Sequence, residues 1–193
     1  GGACPPRGPS LASFPAGFSF VSARGPNICV IGNGQLRCYG PGFTGNVLSS
    51  NTSAAAVGVA HACWFERGNL LAGTLRCTGS AIARGPFDGG ELPEVFLLTP
   101  AGNDFTCATG LISEFSCWGR NDQLQLGAVD GGAPVFPPAL PFSSVTALGW
   151  THACQVFGVP DGGQRLSCWG DDSNGKLGLP PGAGPRLPTL IQP

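Results

Sequence analysis

Charge is scarce in this sequence: 11% of its 193 residues are charged and the formal net charge is -1. An ordinary soluble domain carries roughly a quarter. With no field of one sign, nucleic acid and anionic membrane surfaces are not expected partners. No apolar run approaches the roughly 20 residues of a spanning helix, so direct membrane insertion of this segment is not expected. The opening "GGACPPRGPS" has neither an initiator Met nor a signal-peptide apolar region, and reads as the start of a mature or excised segment. Close cysteine pairs of the kind zinc sites favour are missing. So are G-x-S-x-G, a Walker loop and H-E-x-x-H, and the 11 acidic residues form no repeated pair. No cofactor and no enzymatic activity are expected.

Glycine and proline are plentiful instead, at 32 and 19 residues. They alternate with short runs of Val, Ile, Leu, Phe and Trp, the pattern of many short strands joined by tight turns. No stretch sustains a 3.6-residue apolar period, so the fold class is all-β. Nine cysteines without metal-ligand spacing point to an oxidising, extracellular or cell-surface location.

The phrase "FSCWGRNDQLQLG" returns as "LSCWGDDSNGKLG". Aligning on it finds four units, whose last cysteines are Cys38, Cys77, Cys117 and Cys168, each preceded by one other: Cys29, Cys63, Cys107 and Cys154. In the first unit, "CVIGNGQLRC" carries Asn33-Gly34, the strongest short-range signal for a two-residue type I′ hairpin. Pairing outward from that turn sets Ile31 opposite Leu36, Val30 opposite Arg37, and Cys29 opposite Cys38 at a non-hydrogen-bonded position. There the α-carbons lie about 4.5 Å apart, within a disulfide's reach. The repeat extends the rule to Cys63 with Cys77, Cys107 with Cys117, and Cys154 with Cys168. Cys4 is left over, and an odd cysteine in a secreted protein points to a bridge with another protein molecule or with further sequence, or to a free thiol.

Units of this length built from strands and turns suggest propeller blades. The run "GWTHAC", then "LSCWGDDSNGKLG", then "PTLI" resembles the RCC1-type repeat, and the cysteine before Trp-Gly resembles the disulfide-bearing form in Crinkly4-like receptor ectodomains. The match is fullest in unit four, at Gly149, His152, Trp169, Gly170, Gly175, Leu177 and Gly178. Unit three has Leu124 where the repeat has Gly and Phe105 where it has His; unit one has Tyr39 for Trp and Asn27 for His; unit two has Thr78 and lacks the Leu-Gly tail. The resemblance implies hairpins at about 27–40, 61–79, 105–119 and 152–170 within a repeat region 16–193, behind an N-terminal edge segment 1–15. Such propellers usually close with more blades, so four units imply an open or partial propeller. "PSLASF" and "PTLIQP" each resemble the strand preceding a repeat hairpin, the second as an edge strand at 187–192. Matching unpaired edges call for a protein partner or self-association.

Candidate site residues are few. His61 and His152 sit two residues before a cysteine and are expected to hydrogen-bond neighbouring backbone. Trp118 and Trp169 are expected between blades, whereas Trp64 and Trp150, outside the Trp-Gly phrase, are candidate surface contacts. Asp88, Asp130 and Asp161 each begin a "DGG", read as turns because calcium-loop alternation is missing. Asn51 opens the sequon Asn51-Thr52-Ser53 in a small polar loop and is the expected glycan site. The protein reads as a non-catalytic extracellular structural or interaction module of a larger surface protein or assembly; a ligand-binding receptor ectodomain and a secreted protein-binding or inhibitor propeller are the alternatives. Non-reducing peptide mapping should recover Cys29 linked to Cys38; a link from Cys29 to any other cysteine overturns the repeat rule.

Overall fold

A computed structural model describes residues 17–68, 73–79, 91–92, 97–99, 104–109, 115–128, 145–159, 162–180 and 184–191. Cys4, the segment "PSLASF" and Asp88, Asp130 and Asp161 lie outside them. Four antiparallel sheets follow one another in sequence order. The first comprises β1 (Phe18–Arg24), β2 (Asn27–Gly32), β3 (Gln35–Gly40) and β4 (Phe43–Ser49). The second comprises β5 (Thr52–Val57), β6 (His61–Arg67), β7 (Gly73–Gly79) and β8 (Glu91–Leu92). The third, of β9 (Leu97–Thr99), β10 (Phe105–Thr109) and β11 (Phe115–Gly119), has three strands. The fourth comprises β12 (Val145–Leu148), β13 (His152–Gly158), β14 (Gln164–Gly170) and β15 (Arg186–Ile191).

Each sheet contains one disulfide-bridged hairpin. At the Asn33-Gly34 turn φ is positive at both residues, 51° and 76°, as a type I′ loop requires. The register that follows sets Gly32 opposite Gln35 and Cys29 opposite Cys38. Bridges join Cys29–Cys38, Cys63–Cys77, Cys107–Cys117 and Cys154–Cys168, each with α-carbons 4.1 Å apart. β15 corrects one expectation: it follows a hairpin rather than resembling the strand before one. It pairs with β14 through Leu166 opposite Ile191 and Cys168 opposite Thr189, as the outer strand of its own sheet. Arg186 fixes it further by pairing at 2.6 Å with the buried Asp172 carboxylate.

No sheet encloses a core by itself. Strand side chains alternate between faces, and here the two faces have different fates. The cysteines, with Ile31 and Leu36 in unit one and Phe65 and Leu75 in unit two, point forward to the next unit. Residues one step along point back. Thus Ala62 and Trp64 of unit two share a buried cluster with Cys29, Ile31, Leu36 and Cys38. Ala108 and Trp118 of unit three join Cys63, Phe65, Leu75 and Cys77. Ala153 and Trp169 of unit four join Phe105, Cys107, Cys117 and Leu126. The apolar core therefore runs between sheets, at three successive junctions.

The recurring Trp-Gly phrase builds a loop that delivers one leucine to this core. Asn121 Oδ1 accepts from Leu126 N–H at 3.0 Å while its Nδ2 donates to Ala128 O at 2.7 Å; Asp172 Oδ1 accepts from Leu177 N–H at 3.3 Å. Both leucines are buried. The glycine after Trp, Gly119 or Gly170, has φ of 111° or 100°. A Cβ there would run into the carbonyl oxygen of Asp104 or Thr151 across the hairpin. Leu124 occupies the left-handed region at φ 54° where Gly175 stands in the other loop at 70°, an arrangement that costs a non-glycine residue about 1–2 kcal/mol. Leu124→Gly should therefore raise unfolding free energy by about 1 kcal/mol, and Gly119→Ala should lower it by more than about 1 kcal/mol, both read from urea denaturation.

Candidate interaction surface

The first residue of each hairpin stands at the junction with the next unit. Asn27 donates from Nδ2 to Gly58 O at 2.9 Å and to Val59 O at 2.7 Å, linking units one and two. His61 Nε2 lies 2.7 Å from Thr106 Oγ1, linking units two and three. The expected backbone partner of His61 is thus replaced by a hydroxyl from the following sheet. Phe105 takes the place in unit three and is buried against unit four. Burial of His61, only partly opposed by the Asp104 charge, lowers its pKa to about 4. His152, the fourth occupant, packs its ring against Gly149 so closely that a Cβ there would overlap it. Its pKa is lowered, by burial first and then by the Lys176 charge, with Asp171 opposing and Arg24 assisting.

The face on which His152 stands is the open one. Val156 and Leu166, cross-strand partners in β13 and β14, occupy the positions of Ile31 with Leu36 and of Phe65 with Leu75. Those two earlier pairs are buried, whereas Leu166 is 36% exposed and Val156 partly so. Ile191 on β15, opposite Leu166, is partly exposed on the same face. With no following sheet among the described residues, the Val156–Leu166 end of this face is left uncovered, while Cys168 of the disulfide beside it stays buried.

The expected surface tryptophans separate. Trp64 is a correction: it is 7% exposed, lies in the junction between units one and two, and donates from Nε1 to Glu66 Oε1 at 3.2 Å. Its neighbour Cys63 points forward, so alternation sends Trp64 back. Trp150 is 49% exposed, in the connection between β12 and β13. Trp118 and Trp169 are buried, the latter donating from Nε1 to Gln125 O at 2.9 Å. Asn51 is exposed in the bend between β4 and β5, where its Nδ2 donates to Arg67 O at 2.8 Å. It borders an open groove of about 420 Å³ lined also by Val47, Leu48, Glu66 and Arg67. Among the described residues, no three His, Cys, Asp or Glu side chains gather as a metal site would require.

No protein-family model and no curated protein matches the sequence. Solved structures do. Prp20p of Saccharomyces cerevisiae, whose structure was determined with its binding to Gsp1p and histones, aligns at a TM-score of 0.65 and 18% identity, over 94% of this chain and 54% of its own. The fold is RCC1-like. Human WBSCR16 aligns at 0.60 and 18% identity, over 91% and 52%. The ectodomain of the Physcomitrella patens receptor kinase CR4 aligns at 0.44, with 20% identity over 79% and 50%. The protein spans about half the length of the RCC1-like structures it matches. Its four sheets and four disulfides make it an array of such blades without a closed barrel among the described residues.

The buried His61 gives a pH signature. Its folded pKa, about 4, lies below the ordinary value of about 6.5, so the unfolded state binds more protons between these values. Stability is full above pH 6.5 and falls by about 1.4 kcal/mol per unit down to pH 4. His61→Asn, which copies unit one, should flatten that stretch of the curve in urea unfolding followed across pH. A variant that loses as much stability as the parent over this range would refute the assignment.

Proposed function

We propose that this protein is a non-catalytic interaction module of an extracellular protein or assembly, whose fourth sheet receives a protein partner or a second copy of itself. The uncovered Val156–Leu166 face carries the reading. Every other disulfide face in the array is covered by a back-pointing sheet face, and each such junction buries several large side chains. Burial of one Leu contributes about 1.5–3 kcal/mol, so a complementary surface would gain substantially by completing the series. Prp20p binds Gsp1p and histones, and protein binding is the activity carried over here, without those partners.

The extracellular placement rests on the disulfides, which persist in oxidising compartments. A glycan on the exposed Asn51 side chain belongs to the same reading and would add polar cover to a surface poor in ionised groups. Cys4 is assigned in it to a bridge with a partner.

Leu166→Glu tests the proposal. Because Leu166 is exposed, the variant should keep its folding stability within about 0.5 kcal/mol, yet lose association, read by sedimentation velocity for self-assembly and by co-purification from the extracellular fraction for a different partner. Association unchanged by the substitution would overturn the assignment of this face.

A further inference from the structure

The open face of unit four ends at a corner where unit one returns to it. Arg24, the last residue of β1, places its guanidinium carbon 5.7 Å from the centre of the Trp150 ring. That distance fits a cation–π contact. The Arg24 charge also reaches His152, where it opposes protonation. An internal junction shows the same relation in a satisfied form: Asn27 opens β2 and bonds the carbonyls of Gly58 and Val59, the third and second residues before His61. Arg24 and Gly25 hold those same places before Asn27. Arg24 therefore stands toward His152 as Gly58 stands toward Asn27.

At the corner, however, the polar atoms are unmatched. Arg24 Nε and His152 Nδ1 are both buried without a hydrogen-bond partner, and Arg24 has no ion-pair partner among the described residues. The carboxylate acting on His152, that of Asp171, is engaged by Lys176, by Thr151 Oγ1 at 3.0 Å and by Ser173 N–H at 2.8 Å. Those contacts hold Asp171 far below the usual carboxylate range. The ionisable groups acting on the His152 ring are thus two cations, Arg24 and Lys176, and one committed acid. Arg24 Nε–H is a buried donor without an acceptor, His152 Nδ1 is a buried nitrogen without a partner, and the Trp150 ring under Arg24 is half exposed. A buried donor left without an acceptor is destabilising, so a ligand that supplies one gains by it.

A carboxylate supplies what is missing. It is planar, presents two acceptor oxygens, and matches the guanidinium fork with charge-assisted bonds. We propose that the Arg24–Trp150–His152 corner binds a carboxylate of a protein partner, from an Asp or Glu residue or from the partner's terminal carboxyl group, seated between the first and fourth units. In the Nδ1–H tautomer His152 donates the second bond, and Trp150 flanks the acidic segment. This rests on the interaction-module reading and names the chemistry of its partner.

The probe is an oligoglutamate peptide, with oligoglutamine of equal length as the uncharged control, titrated into the 193-residue protein by calorimetry and tryptophan fluorescence. Wild type should bind oligoglutamate and not oligoglutamine. Arg24→Gln should weaken binding by about tenfold or more, Arg24→Lys by less, and Arg165→Gln, an exposed arginine on β14, should leave it unchanged. The fluorescence response should vanish in Trp150→Phe, with thermal unfolding showing each variant folded. Undiminished binding in Arg24→Gln, no binding of oligoglutamate by wild type, or equal binding of oligoglutamine would overturn the proposal. A preference for oligogalacturonate would overturn it in favour of acidic polysaccharide. Failure here with Leu166→Glu still blocking association would remove the carboxylate site and keep the interaction face; the converse pair of results would do the opposite.

Discussion

Everything in this structure depends on one constraint: a single twisted sheet of three or four short strands has two faces and no interior. Each unit here can be stapled, but not buried, by its own residues. Its forward face, bearing the disulfide, is closed only when the backward face of the following sheet is laid on it. Stability is then shared between neighbours, as in other repeat arrays, and the outermost units are the ones left incomplete.

This explains why the recurring Trp-Gly phrase is architectural. Its cysteine points forward into one junction and its tryptophan backward into another, so two adjacent residues serve different cores. The glycine after them lets the hairpin close against a carbonyl that no Cβ could approach. The Asn or Asp that follows ties the loop and sets a buried leucine. A low charge content fits such a design, because little of each internal sheet meets water.

Much of this is legible in the sequence because the deciding signals are local. Asn33-Gly34 dictates a register, the register places Cys29 opposite Cys38, and the repeat copies the result. What is not legible lies across junctions. Thr106, the partner of His61, is separated from it by 45 residues, and no pattern within unit two announces it. Trp64 departs from expectation for a different reason: its distance from the Trp-Gly phrase suggests the surface, whereas its adjacency to Cys63 implies the backward, buried face. The corner of Arg24 and Trp150 joins the first and fourth units and has no signal in either.

The placement of the disulfides also bears on how the protein is made. Each bridge closes over a sequence separation of 9 to 14 residues, entirely inside one hairpin. A staple can therefore form as soon as its hairpin meets an oxidant, before the sheet that will cover it has been synthesised. Growth from the N-terminus then adds one lid at a time, each new backward face sealing the forward face already waiting. Oxidation and packing are thereby uncoupled, and a mispaired cysteine would have to outrun a partner only one turn away.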